Sequence, residues 1–141
     1  PNGVITTADQ AFLLVADSQS SWIHSYLIQA DGTLAHGQRY GYVHGLDADS
    51  ETGSDGMTVD DQGRLYVATK LGVQVFDQLG RCHLILTHPH PKKRKLSNLV
   101  FGGPERDTLF VTCTDKVYKR TLKTKGVVPS MAAVKPPKPG W

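Results

Sequence analysis

The sequence predicts an all-β protein, and three observations support that prediction. Short runs of β-branched, aromatic and aliphatic residues are bounded by Gly and Asp, as strands between tight turns are. The chain holds 14 Gly and 8 Pro among its 141 residues, which indicates many turns. In addition, no stretch combines the apolar period of a helix with helix-capping residues. The length suits one ordinary domain.

The first two strands are predicted from an internal repeat. Residues 2–17, 55–69 and 98–113 can be aligned, and each segment consists of a strand, a polar turn and a second strand. In the second segment, for example, Asp61-Gln62-Gly63 separates two apolar runs and supplies the residues that tight turns prefer. The repeat therefore predicts three copies of one antiparallel unit.

Further strands are expected after each repeated pair. The predicted third strands are Trp22–Ile28, Val73–Asp77 and Lys116–Leu122. The predicted fourth strands are Gln38–Val43, His83–Thr87 and Gly126–Val128. Repeats of four short strands, about 40–50 residues apart, are typical of β-propeller blades. A β-sandwich is the alternative, although its strands need not repeat in sequence.

The number of repeats predicts an incomplete ring. The blades are expected at about residues 1–45, 46–95 and 96–128, followed by a Pro-rich C-terminal tail over 129–141. Propellers close with about four to eight blades, so three blades would leave two apolar faces open. We therefore expect half of a six-bladed propeller. It would close by dimerisation with a second copy or by pairing with a separate N-terminal half.

Charge is distributed unevenly along the chain. Residues 1–91 contain 4 basic and 10 acidic residues, whereas residues 92–141 contain 12 basic and 3 acidic residues. The cluster Lys92-Lys93-Arg94-Lys95 is interpreted as a solvated loop, because no aromatic residues for base stacking are interleaved with it. No nucleic-acid or membrane partner is expected, since no apolar run approaches the ~18 residues of a membrane span. No secretory leader opens this sequence, so the default expectation is a cytoplasmic protein.

One short polar residue stands at the start of each predicted innermost strand, namely Asn2, Asp55 and Asn98. In a propeller these strand starts surround one mouth of the central channel. Their side-chain oxygens would suit a hard divalent cation, and Ser54 would add another oxygen. The alternative interpretation is that these residues form Asx turns at the strand starts.

Several motifs resemble the gluconolactonase family, which includes regucalcin (senescence marker protein). They are Pro1-Asn2-Gly3-Val4, Ser54-Asp55-Gly56-Met57 and Phe101-Gly102-Gly103, and the resemblance runs from Pro1 to about Val128. It implies a six-bladed propeller with one divalent metal in its channel, acting on sugar lactones and related esters. The chain would correspond to the C-terminal half of that propeller.

The resemblance also implies roles for single residues. Asn2 and Asp55 match metal ligands, Ser54 matches a position that contacts the metal in some members, and Asn98 matches a channel-lining position. Asp55 also matches the catalytic general base. Calcium is the expected ion, with magnesium, manganese or zinc as alternatives. An acidic ligand and an Asn or Asp ligand would belong to the three missing blades, so one chain cannot hold the complete family site.

Two hypotheses of different classes follow. In the first, the chain is a metal-dependent hydrolase of the sugar-lactone type, whose site is completed only by a six-bladed assembly. In the second, it is a non-catalytic, self-assembling half-propeller module that dimerises into a six-bladed ring. The partners expected are a second copy or a separate N-terminal half, together with a small-molecule lactone or ester under the first hypothesis.

Overall fold

The structure, a computed structural model, describes residues 1–45, 51–87 and 95–127. These residues form eleven strands, arranged in three antiparallel sheets, and no helix. The prediction of an all-β protein is confirmed. It follows that no helix within these ranges is long and apolar enough to cross a membrane.

The strands of each sheet follow one another in chain order. The first sheet contains β1 (Val4–Thr6), β2 (Phe12–Ala16), β3 (Trp22–Ile28) and β4 (Leu34–Tyr42). The middle sheet contains β5 (Met57–Val59), β6 (Leu65–Thr69), β7 (Gly72–Phe76) and β8 (Cys82–Thr87). The third sheet contains β9 (Leu96–Gly102), β10 (Thr108–Cys113) and β11 (Lys116–Thr121).

The first two strands of the three sheets can be compared through their register. In every sheet, the strand nearest the repeat start pairs antiparallel with the second strand. Val4 pairs with Val15 and Met57 pairs with Val67, and these are equivalent positions of the alignment. In the third sheet Val111 pairs with Leu99 rather than with Val100, so the register is shifted by one residue from the alignment. Each sheet thus begins with an antiparallel hairpin, and the exact repeat of the sequence alignment stays a prediction.

The middle sheet is buried on both faces. Because successive side chains of a strand point to opposite faces, β6 contributes to two clusters at once. Its Leu65 and Val67 pack against residues of the first sheet, and its Tyr66 and Ala68 pack against residues of the third. All five residues of β6 are buried. The near-continuous apolar run of this strand is what a sheet covered on both sides requires.

The prediction of four strands in every sheet is wrong for the third sheet. Within the described residues that sheet has three strands, and the expected strand Gly126–Val128 does not form there. Gly126 instead makes an isolated bridge with Asp60, and the Val127 N–H donates to the carbonyl of Val59. The chain after β11 thus crosses to the middle sheet, where backbone groups at the end of β5 bind it. Val128 and the predicted tail 129–141 lie outside the described residues.

The turn between β5 and β6 is built around a buried carboxylate. Asp60 is 0% exposed, and its Oδ1 accepts hydrogen bonds from the backbone N–H groups of Gln62 and Arg64. Its Oδ2 accepts from Arg64 Nε at 2.7 Å, the Tyr66 hydroxyl at 3.0 Å and the Thr124 hydroxyl at 3.1 Å. Asp60 therefore connects the turn to both the middle sheet and the crossing segment.

The turn between β7 and β8 repeats the same Asp-x-x-Gly-Arg pattern at the surface. The Oδ1 atom of Asp77 accepts from the N–H groups of Leu79 and Arg81, and its Oδ2 pairs with Arg81 and with His83. Partial burial opposes ionisation of Asp77, but these hydrogen bonds outweigh it and lower its pKa well below the usual value. Burial and the Asp77 charge raise the pKa of Tyr40 to about 12.

Candidate functional site

The starts of the three innermost strands lie next to one another. Gly3 lies so close to the backbone carbonyl of Asp55 that a Cβ atom on Gly3 would clash with it. Gly56 lies equally close to the side-chain oxygen of Asn98, so a Cβ atom there would clash as well. Both positions thus require glycine for the approach of neighbouring sheets. The predicted convergence of the strand starts agrees with this packing.

The backbone of Asp55 and Gly56 is fixed on two sides. The Asp55 N–H donates to the Ala68 carbonyl at 3.0 Å, and the Ala68 N–H donates to the Gly56 carbonyl at 3.0 Å. On the other side, the Gly56 N–H donates to the Ser97 carbonyl at 3.0 Å. These bonds place the Asp55 carboxylate at the junction of the middle and third sheets.

The Asp55 carboxylate is largely shielded and faces a cation. Its side chain is 17% exposed, and its Oδ2 lies 3.0 Å from the Nζ atom of Lys95, whose side chain is 50% exposed. The sequence predicts that Lys95 belongs to a solvated basic loop. The structure instead brings this ammonium group to the proposed general base, and Lys92-Lys93-Arg94 lie outside the described residues.

Ser54 and Asn2 are connected through Ser18. The Ser54 hydroxyl is completely buried and donates to the Asp17 carbonyl at 2.8 Å, while the Ser54 carbonyl accepts from the Ser18 hydroxyl at 2.7 Å. The Asn2 amide nitrogen donates to the same Ser18 hydroxyl at 3.2 Å. Sequence reasoning missed Ser18, which lies in the turn after β2 and carries no motif. The hydroxyl of Ser54 thus has a structural role, and its contact with a metal stays a prediction.

Asn98 uses its side chain locally. Its Oδ1 accepts from the N–H of Leu99 at 2.8 Å, and its backbone carbonyl accepts from the Thr112 hydroxyl at 3.2 Å. This bond joins adjacent residues, whereas an Asx turn bonds the N–H two residues further on, and Asn98 is the third residue of β9. Its channel-lining role is not tested by these contacts.

The side-chain oxygens of Asp55 and Asn2 are each of the kind that a hard divalent cation prefers. They comprise one carboxylate from Asp55 and the amide oxygen of Asn2, whose nitrogen is the atom that bonds Ser18. They are fewer than the six to eight oxygens that calcium takes. Among the described residues, no group of three or more His, Cys, Asp or Glu side chains is placed to hold a metal. That Asn2 and Asp55 hold a cation stays a prediction.

Residues 1–115 match the family described as the SMP-30/Gluconolactonase/LRE-like region. The chain belongs to this family. It is 30% identical over 135 residues to a gluconolactonase of Zymomonas mobilis, and the match covers 89% of this chain and 36% of that protein. The chain therefore spans little more than a third of the length of this curated relative.

Solved structures agree with the family assignment. A gluconolactonase from Xanthomonas campestris superimposes with a TM-score of 0.68 and 27% identity, over 86% of this chain and 37% of that one. Regucalcin from Agrobacterium tumefaciens, a calcium-binding protein, superimposes with a TM-score of 0.65 and 19% identity, over 79% of this chain and 37% of that one. At this identity the second likeness concerns the fold alone.

Proposed function

We propose that this chain supplies half of a six-bladed, metal-dependent hydrolase of sugar lactones. The observation that carries the proposal is the family match over residues 1–115, which includes Asn2, Ser54, Asp55 and Asn98. At the family level a sugar-lactone hydrolase is the activity indicated. The dependence on a metal and the six-bladed assembly are the parts proposed for this chain.

The exposed sheet faces support a ring that extends beyond one chain. On the outer face of the first sheet, Val4 is 56% exposed and Tyr42 is 45% exposed. On the outer face of the third sheet, Val100 is 57% exposed and Val117 is 65% exposed. Exposed apolar side chains on these faces are what contact with a further blade would cover. We propose that a second copy covers both faces in a closed dimer, with a separate N-terminal half as the alternative partner.

Within the ring, Asp55 and Asn2 would hold the divalent cation at one mouth of the channel, and the partner would add the missing ligands. A cation bound there would polarise a lactone carbonyl and acidify a water molecule. The Asp55 carboxylate would accept the proton of that water, because it is the shielded carboxylate of this set. Gly3 and Gly56 would keep the strand starts close enough for this arrangement.

The proposal is tested by measuring acid release from glucono-δ-lactone with the purified chain. We expect hydrolysis that requires a divalent cation and stops on chelation. Asp55→Ala should abolish it, whereas Asp31→Ala should preserve it, since exposed Asp31 bonds only locally to Thr33. Hydrolysis that survives both chelation and Asp55→Ala would contradict the proposal.

A second candidate is a non-catalytic module that assembles into a ring. The small number of candidate metal ligands favours this module. Asp55 is the one carboxylate among the proposed ligands, and the described residues contain no group of three acidic, His or Cys side chains that could hold a metal. A dimer without cation-dependent hydrolysis of any lactone tested would support this module and oppose the enzyme.

A further inference from the structure

We propose that Lys95 is a tethered counter-cation that holds Asp55 in the metal-free chain and is displaced when a divalent cation binds. This inference rests on the proposed function, because Asp55 is the ligand for which the two cations compete. It assigns a role to a residue that neither the repeat nor the family motifs single out.

The position of Lys95 is set by ordered backbone. Lys95 directly precedes β9, and two residues later the Ser97 carbonyl accepts the Gly56 N–H at 3.0 Å. The segments that carry the ammonium and the carboxylate are therefore joined by a backbone hydrogen bond beside the ion pair. The Nζ–Oδ2 distance of 3.0 Å is that of a charge-assisted hydrogen bond.

The shielding of Asp55 explains why a counter-cation is needed. A carboxylate that is 17% exposed has lost much of its hydration, and a charge in such a place is stabilised by a paired, hydrogen-bonded group. Among the described residues, the one partner of this carboxylate is the Lys95 ammonium. In the absence of a divalent ion, Lys95 therefore keeps the Asp55 side chain compensated and in place.

The same geometry makes Lys95 a competitor of the metal. A divalent cation that binds Asp55 would lie within a few ångströms of the ammonium, and two cations at that separation repel strongly. The half-exposed Lys95 side chain has solvent into which it can move, whereas Asp55 is held by the backbone bonds of Gly56 and Ala68. Binding of the cation should therefore release Lys95.

An ordinary surface ion pair offers the contrast. Lys70 Nζ lies 3.7 Å from Glu51 Oε2, and the two side chains are 37% and 66% exposed. Exposed pairs of this kind contribute little and do not restrain a ligand. Lys70 thus provides a matched control, since its removal takes away the same charge from a neighbouring loop without touching Asp55.

The experiment titrates calcium and then manganese into the parent chain, Lys95→Met, Lys70→Met and Asp55→Asn by calorimetry, with folding checked by circular dichroism. We expect Lys95→Met to bind the cation at least about tenfold more tightly than the parent. Lys70→Met should bind the cation with the affinity of the parent, and Asp55→Asn should not bind it.

The inference would be overturned if Lys95→Met bound the cation as tightly as the parent or more weakly. That result would not contradict the metal site itself. No binding even by Lys95→Met would overturn the metal site of the proposed dimer, and with it the competition.

A second measurement uses the unaltered chain. The rate at which an amine-acylating reagent modifies Lys95 is followed by mass spectrometry with and without saturating cation, with Lys70 as internal control. If the cation releases Lys95 from Asp55, Lys95 should be modified several-fold faster in the presence of the cation. The rate of modification of Lys70 should not change. Saturation by the cation with an unchanged rate at Lys95 would contradict the displacement.

Discussion

The three sheets carry equivalent valines whose burial differs. Val15, Val67 and Val111 occupy matching positions in the second strand, and each pairs with an apolar residue of the innermost strand. Val67 is 0% exposed, whereas Val15 and Val111 are half-buried. The middle sheet has a neighbour on each face, and the outer sheets each have one. Val15 lies with exposed Val4 on the open face of the first sheet, so the place of a sheet in the stack accounts for the difference between Val15 and Val67. Val111 packs against the cluster between the middle and third sheets and is nevertheless half-buried, so the stack does not account for it.

The largest loss of stability is expected in the middle sheet, which is covered on both faces. Val67→Asp would place an unpaired carboxylate between the first and middle sheets, and we expect a loss of at least about 4 kcal/mol in the free energy of unfolding. Such a loss approaches the whole stability of a domain. Urea unfolding followed by circular dichroism measures it.

The matched control is Val100→Asp, which places the same charge on the exposed face of the third sheet. We expect the sheets to remain folded in this variant, because Val100 is 57% exposed within one chain and the charge would act on the proposed dimer contact rather than on the core. If Val67→Asp were as stable as Val100→Asp, the assignment of the middle sheet as the doubly covered sheet would be wrong.

The two Asp-x-x-Gly-Arg turns allow a finer comparison. In Asp60→Asn an amide nitrogen would replace Oδ2 and face three donors, those of Arg64, Tyr66 and Thr124, in a buried place. We expect a loss of about 3–5 kcal/mol. In Asp77→Asn the lost partners are the exposed side chains of Arg81 and His83, so we expect about 1 kcal/mol or less. Equal losses in the two variants, measured by urea unfolding, would show that burial does not separate these turns.

The smallest effect is a dependence on pH. The folded-state pKa of Asp77 is lowered, so its ionised form stabilises the fold above the unfolded-state pKa of about 3.9. That contribution is lost as the pH falls toward the folded-state pKa. We therefore expect the difference in free energy of unfolding between the parent and Asp77→Asn to narrow between about pH 5 and about pH 3. A difference that stays constant over this range would contradict the role given to the Asp77 charge.

Local pattern predicted most of the fold. The apolar runs and turn residues located the first two strands of each sheet, because hairpins are specified by residues close in sequence. The fourth strand of the third sheet was the error. Gly126 and Val127 bind Asp60 and Val59, which are more than sixty residues earlier, and no local pattern reports such a contact.

The residues of the candidate site were likewise predicted only in part. Asn2, Asp55 and Asn98 were predicted because each stands at the start of an aligned segment, and their role at a cation site stays a prediction. Ser18 and Lys95 were missed, because one lies in an ordinary turn and the other in a run of basic residues that is typical of a solvated loop. Their contacts arise from the packing of the sheets against one another. The sequence of either segment alone does not predict that packing.

The most direct test of the account is the mass of the purified chain in solution, by light scattering at micromolar concentration. The outer faces that carry Val4 and Val100 should be covered, so we predict a closed dimer of twice the 15.4 kDa chain mass. Val100→Asp should shift the species toward the monomer while the sheets stay folded. A parent chain that is a monodisperse 15.4 kDa monomer under the same conditions would contradict the closed ring.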